Sequence, residues 1–132
     1  GMSLTLHRAF DVCRDPYRAL EQAVELGFRT ILTSGQQNSA RKGAELLKEL
    51  VALGGERITI QAGSGINAEA IKELYPLTGA RAYHMSGKMV LESPMRYRKE
   101  GVSMGIGSVS EYEIWRTEEE AIRKACVVLE GL

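Results

Sequence analysis

The sequence predicts an α/β fold of parallel strands, each followed by a helix, on three observations. Strand-like and helix-like stretches alternate four times at the spacing of βαβ units. Three of the four strands close in small residues, at Ser34-Gly35, Gly63-Ser64-Gly65 and Ser86-Gly87, which sets backbone donors repeatedly at one rim of the sheet. The third observation is parity: Thr5 with His7, Thr59 with Gln61, and His84 with Ser86 fall on one side of their strands. An open sheet covered on both faces needs near-continuous apolar strands, so this pattern favours a barrel with helices outside and a partly polar lumen.

The elements follow in order. Leu4 to Phe10 alternates like a half-buried strand, and Asp15-Pro16 supplies an N-cap and a first helical residue. Tyr17, Leu20, Val24 and Leu26 make the apolar face of that helix, which Gly27 ends. Phe28 to Thr33 is a second strand, its parity left ambiguous by adjacent Ile31 and Leu32. Ser39 is placed to cap the next helix, whose stripe of Leu46, Leu47, Leu50, Val51 and Leu53 stops at Gly54-Gly55. The organising stretch comes next: Ile58 and Ile60 alternate with Thr59 and Gln61, glycines stop the strand, and Asn67 caps a helix from Ala68 to about Leu77. Free N–H groups and the positive end of a helix dipole then meet at the strand's carboxyl end, a mouth for an anion or polar ligand. Ala80 to Met85 reads as a fourth strand. Thr117-Glu-Glu-Glu120 reads as a capping box, opening a helix through Ile122, Ala125, Val128 and Leu129 with Cys126 toward its core stripe. Gly87 to Glu113 is long for a connection and reads as a lid, an interface segment or a disordered loop.

The 132 residues, 44% of them apolar, fit one domain spanning 1–132. Seventeen basic residues balance seventeen acidic ones, so nothing electrostatic recommends nucleic acid or an anionic membrane. No apolar run reaches membrane-spanning length and nothing resembles a signal peptide; a cytoplasmic protein is expected. Cys13 and Cys126, far apart, read as reduced thiols, and Gly1 before Met2 as a remnant of tag cleavage. A complete eight-stranded barrel takes about 250 residues, and four parallel strands leave two edges open. The expectation is a homo-oligomer, a dimer, in which a second copy closes the ring or otherwise buries those edges.

Several residues can carry chemistry. Strand parity sets His7 and Asp11 on one side and Arg8 on the other; a histidine oriented by a carboxylate serves proton transfer, or is simply a satisfied buried pair. His84 shares the polar parity and has Gln61 or Ser86 as hydrogen-bond partners. Soft-metal ligation needs sulfur, available at Cys13, Met85, Met89, Met95, Met104 and Cys126 without ligand spacing; Cys13 is the better thiol candidate. The glycine turn from Gly63 to Gly65 fits either a bound phosphate or a plain tight turn.

The segments His7-Arg-Ala-Phe-Asp11, Ile31-Leu-Thr-Ser-Gly-Gln36, Ala62-Gly-Ser-Gly-Ile-Asn67 and Tyr83-His-Met-Ser86 resemble, in order, the carboxyl-terminal half of the CutC family of copper homeostasis proteins. The resemblance implies a (β/α) barrel of the TIM type, here four βα units forming a half barrel, a cytoplasmic homo-oligomer and a role in copper tolerance through copper(I) binding. It also implies a polar pocket at the strand ends that includes His7, Arg8, Asp11, Thr33, Ser34, Gly35, Gly63, Gly65, Asn67 and His84. The family's amino-terminal strands, with cysteines proposed there as copper ligands, are not in this sequence, which leaves Cys13 and Met85 as metal candidates. Two other readings stand beside it: an enzyme acting on a small anionic metabolite with His7 and Asp11 as acid and base, and a non-catalytic truncated barrel.

Overall fold

The computed structural model describes residues 1–99, 101 and 110–132. Strands β1 (Thr5–Leu6), β2 (Thr30–Thr33), β3 (Thr59–Ala62) and β4 (Ala82–Tyr83) form one parallel sheet in the order β1-β2-β3-β4. Helices α1 (Pro16–Glu25), α2 (Ala44–Gly54) and α3 (Ala68–Thr78) connect them, and α4 (Glu119–Glu130) closes the chain. Spatial order follows chain order without reversal, which is what right-handed crossovers produce when every helix falls on the same face; a doubly wound sheet reverses its order midway.

The core lies between that face and the helices. Leu6, Ile31 and Ile60 are in register and pack, with Ala62, against Leu20, Leu47, Leu50, Ile71 and Leu74. Ala125 brings α4 into the same cluster. Ile31 points to the core and Leu32 away from it, which settles the parity of β2. The opposite face carries Thr5, Thr30, Leu32, Thr59 and Gln61; Thr5 and Thr59 are exposed and the others half-buried. The expected polar face is therefore real, and in the single chain it opens toward solvent.

Local chemistry fixes two helix starts as expected. Asp15 Oδ1 accepts the N–H groups of Tyr17 at 3.1 Å and Arg18 at 3.0 Å, with Pro16 at the first helical position. Asn67 Oδ1 accepts the Ala70 N–H at 2.8 Å, and Gly79, at φ 71°, takes the left-handed position that ends α3.

Other elements depart from expectation, each for a local reason. The first strand stops at Leu6 because His7 Nδ1 accepts the Ala9 N–H at 2.9 Å and caps a 3-10 turn, Arg8–Val12, which buries Phe10. Ser39 does not cap α2. Its Oγ accepts the Lys42 N–H at 3.4 Å in a turn, and the helix starts behind Gly43 without a side-chain cap. A Cβ at Gly43 would stand 2.0 Å from the Ser34 carbonyl oxygen, so this close approach demands glycine. Thr117 does not open a capping box: it ends a strand and donates its hydroxyl to Ser86 O at 3.1 Å, while α4 follows Glu118.

The stretch expected to be one loop from Gly87 to Glu113 has structure at both ends. β5 (Lys88–Glu92) pairs antiparallel with β6 (Glu113–Thr117), and the Lys88 ammonium stands 4.1 Å from the Trp115 ring centroid. Residues 100 and 102–109, where a lid, interface or disorder was also expected, lie outside the described residues. The fourth strand is shorter than its reading, and Cys126 is exposed on α4 while its neighbour Ala125 takes the core position. Among the described residues, no helix is long and apolar enough to cross a membrane.

Candidate functional site: a cleft at the strand carboxyl ends

The end of β2 is organised by a carboxylate. The Asp11 side chain, 7% exposed, accepts Arg8 Nε at 2.6 Å, the Ser34 N–H at 3.1 Å, the Gln36 N–H at 3.3 Å and the Thr33 hydroxyl. Gly35 and Gln36 both adopt positive φ, 69° and 56°, which turns the N–H groups of this bend inward. Ser34 Oγ lies 2.9 Å from Asp11 Oδ2, approaches Gln37 O, and accepts Arg8 Nη2 at 2.9 Å. Burial is the largest influence on the Asp11 carboxyl and pushes its pKa up. Hydrogen bonds from Thr33, Arg8 and Ser34 together outweigh it and hold the group below its ordinary value. The Ser34 and Gln36 N–H groups are thus spent on the protein's own carboxylate, and the Gly35 N–H on Thr33 Oγ1 at 3.0 Å.

This arrangement overturns the expected His7–Asp11 pair. A 3-10 turn does not keep strand parity: it brings Arg8, not His7, onto Asp11, and leaves His7 exposed with Nδ1 engaged by the Ala9 N–H. The glycines of the rim are steric. A Cβ at Gly35 would stand 2.2 Å from Gly43 O, and one at Gly63 would stand 2.7 Å from Leu32 Cδ1. Thr33 is buried, and Gln61 sits half-buried on the open sheet face with Nε2 3.5 Å from Tyr83 O.

A cleft of about 580 Å³ opens beside this hub. Its lining brings together Arg8 from the 3-10 turn, Ser64, Gly65 and Asn67 as the floor at the start of α3, and His84, Met85, Ser86 and Lys88 from the segment after β4. Leu32 and Ile66 add apolar surface, and its size is that of a small-molecule site. Ser64 holds the floor in place: it accepts the Ala40 N–H at 3.0 Å, donates its hydroxyl to Asn38 O at 2.8 Å, and adopts φ 75°. Of the residues singled out from sequence, Arg8, Gly65, Asn67, His84, Met85 and Ser86 meet here. Neither Gln61 nor Ser86 bonds the His84 imidazole, which makes no hydrogen bond among the described residues. Lys88 was missed as a site residue because β5 pairs with a strand about 25 positions on, and that pairing, invisible to local periodicity, carries it to the cleft.

The residues present do not make a resident copper(I) site by themselves. Cys13 lines a separate surface depression with Arg14, Asp15 and Arg18, whereas Met85 lines the cleft. Gln36 Nε2 lies 3.4 Å from Cys13 Sγ, and burial raises the Cys13 thiol pKa, disfavouring the thiolate that soft metals need. Among the described residues, no three His, Cys, Asp or Glu side chains converge as ligands.

Fold and cleft together define a parallel α/β protein with its helices on one sheet face and a ligand-sized opening at the strand carboxyl ends. The family model described as the CutC family matches residues 1–89, and the chain belongs to that family. A CutC family protein of Parabacteroides distasonis is 47% identical over 123 residues, 92% of this chain and 51% of that protein. One of Pasteurella multocida is 46% identical over 93% of this chain and 50% of its own length. A crystal structure of a protein named CutC from Streptococcus agalactiae, whose description assigns it to copper homeostasis, aligns at a TM-score of 0.60 and 34% identity, over 64% of this chain and 42% of that one. The chain spans about half the length of the curated relatives it matches.

Proposed function

We propose that this chain serves copper homeostasis as CutC proteins are described to do, with the strand-end cleft as its ligand site. The observation that carries the reading is positional: every residue lining the cleft except Ala121 falls within the family-matched residues 1–89. The four βα units act as half of a TIM-type barrel, a ring that a second copy of the chain completes. In support, among the described residues β1 pairs only with β2 and β4 only with β3, which leaves both sheet edges without a strand partner there. Sedimentation at micromolar concentration tests the assembly, with a dimer expected; a monomer removes it.

Copper(I) is the ligand the family description favours, and His84 and Met85, consecutive residues of the cleft lining, are the donors it would use there. Cys13 joins them only if it moves or a second chain contributes it. Titrating reduced protein with copper(I) against a competing chelator tests this. The expected result is stoichiometric competition that weakens in Met85→Leu; no competition removes copper(I) and leaves the small-ligand reading.

A further inference from the structure

Resting on the reading that this cleft is the ligand site, we infer that it binds an oxyanion, the phosphate or carboxylate of a small metabolite, held between Arg8 and Lys88. The lining includes Arg8, His84 and Lys88 and no carboxylate. The whole chain is neutral, so this is a matter of placement rather than composition. Of the acids near the cleft, Asp11 pairs with Arg8, Glu119 with Arg123 and Glu120 with Lys124; Glu69 and Glu118 are exposed, form no ion pair among the described residues and lie outside the lining.

The arginine is set for the task. Its Nε bonds Asp11 Oδ2 at 2.6 Å and its Nη2 bonds Ser34 Oγ at 2.9 Å, so one edge of the guanidinium is anchored while the side chain stays 45% exposed. The end-on edge, Nη1 with the second N–H of Nη2, remains for two oxygens of a ligand, the fork geometry that oxyanions fit. Asp11 neutralises the charge of Arg8 without consuming those donors, and acts as its positioning residue. The Lys88 ammonium, also in the lining and held over Trp115, has no ion-pair partner among the described residues and supplies the uncompensated charge. On the floor, the N–H groups of Gly65, Ile66 and Asn67 have no acceptor among the described residues. Guanidinium and ammonium offer a metal cation no lone pair, so these groups favour an anion over copper(I).

The test is calorimetric titration with inorganic phosphate and separately with acetate, at ionic strength held constant with chloride. Emission of Trp115, the one tryptophan, serves as a second reporter because Lys88 stands over its ring. Saturable binding is expected, tighter for phosphate if the natural group is a phosphate and for acetate if it is a carboxylate. Lys88→Gln, on an exposed strand position, should weaken it at least about tenfold, as loss of one charge-assisted contact does. Lys72→Gln, exposed on α3 outside the cleft, should leave it unchanged. Arg8→Lys keeps the charge, loses the fork and should also weaken binding, with a melting curve recorded beside it. Heats no larger than the chloride baseline, or equal affinity in wild type and Lys88→Gln, overturn the inference. Copper(I) uptake sensitive to Met85→Leu without phosphate binding overturns it and leaves the cleft standing; neither ligand binding removes both.

Discussion

Arg8 reaches three residues along the chain to set its Nε 2.6 Å from Asp11 Oδ2, and from Asp11 the same carboxylate reaches across to the end of β2. One carboxylate therefore ties the first turn of the chain to the second strand and fixes the arginine that borders the cleft.

Asp11→Ala should cost about 2–4 kcal/mol at neutral pH, since it strands a buried set of donors. The sign with pH follows from the lowered folded-state pKa. The stabilisation is fully present above the carboxylate value of the unfolded chain and is lost as pH falls through the lower folded value. Urea unfolding from neutral into acid pH should show the gap between wild type and variant closing; a gap that stays constant contradicts the assignment.

Gly43→Ala should destabilise by about 1–3 kcal/mol or more, because the new methyl meets the Ser34 carbonyl rather than a movable side chain. Gly131→Ala, whose Cβ would meet nothing closer than 3.6 Å, should stay within about 0.5 kcal/mol. Thermal melts of the pair decide whether the Ser34-Gly35 bend is held by packing.

Asn67→Ala should lose about 1 kcal/mol with the cap on α3, and Asn67→Asp should recover most of it. Equal melting temperatures for all three proteins would remove the cap as a stabilising feature.

The thiols should differ in reactivity. Cys126 is exposed, whereas Cys13 is half-buried with its pKa raised by burial. An aromatic disulfide reagent should modify Cys126 first, and Cys126→Ser should abolish the fast phase; a fast phase that survives places the reactive thiol at Cys13 instead.

What could be read ahead of the coordinates was what neighbours in sequence decide. Asp15 and Asn67 act on N–H groups two or three residues on, and the alternation at Ile58 and Ile60 needs only its own strand, so these two caps, the parallel sheet and its polar face were legible, whereas the caps expected at Ser39 and Thr117 were not there. The site was legible as a set of residues but not as a geometry. Ser34 meets Arg8 from 26 positions away and Thr117 meets Ser86 from 31, contacts that no local period encodes. His7 misled because its ring bonds the backbone and ends the strand, cancelling the parity on which the His7–Asp11 pair depended.

The central claim is that ligand enters between Arg8 and Lys88 and not at the Ser34–Gln36 bend, whose donors Asp11 and Thr33 already occupy. Two-dimensional amide NMR during titration with inorganic phosphate, repeated with copper(I), tests it most directly. The account predicts shifts concentrated at residues 64–67 and 84–88. Shifts concentrated at residues 33–36, or none with either ligand, would contradict it.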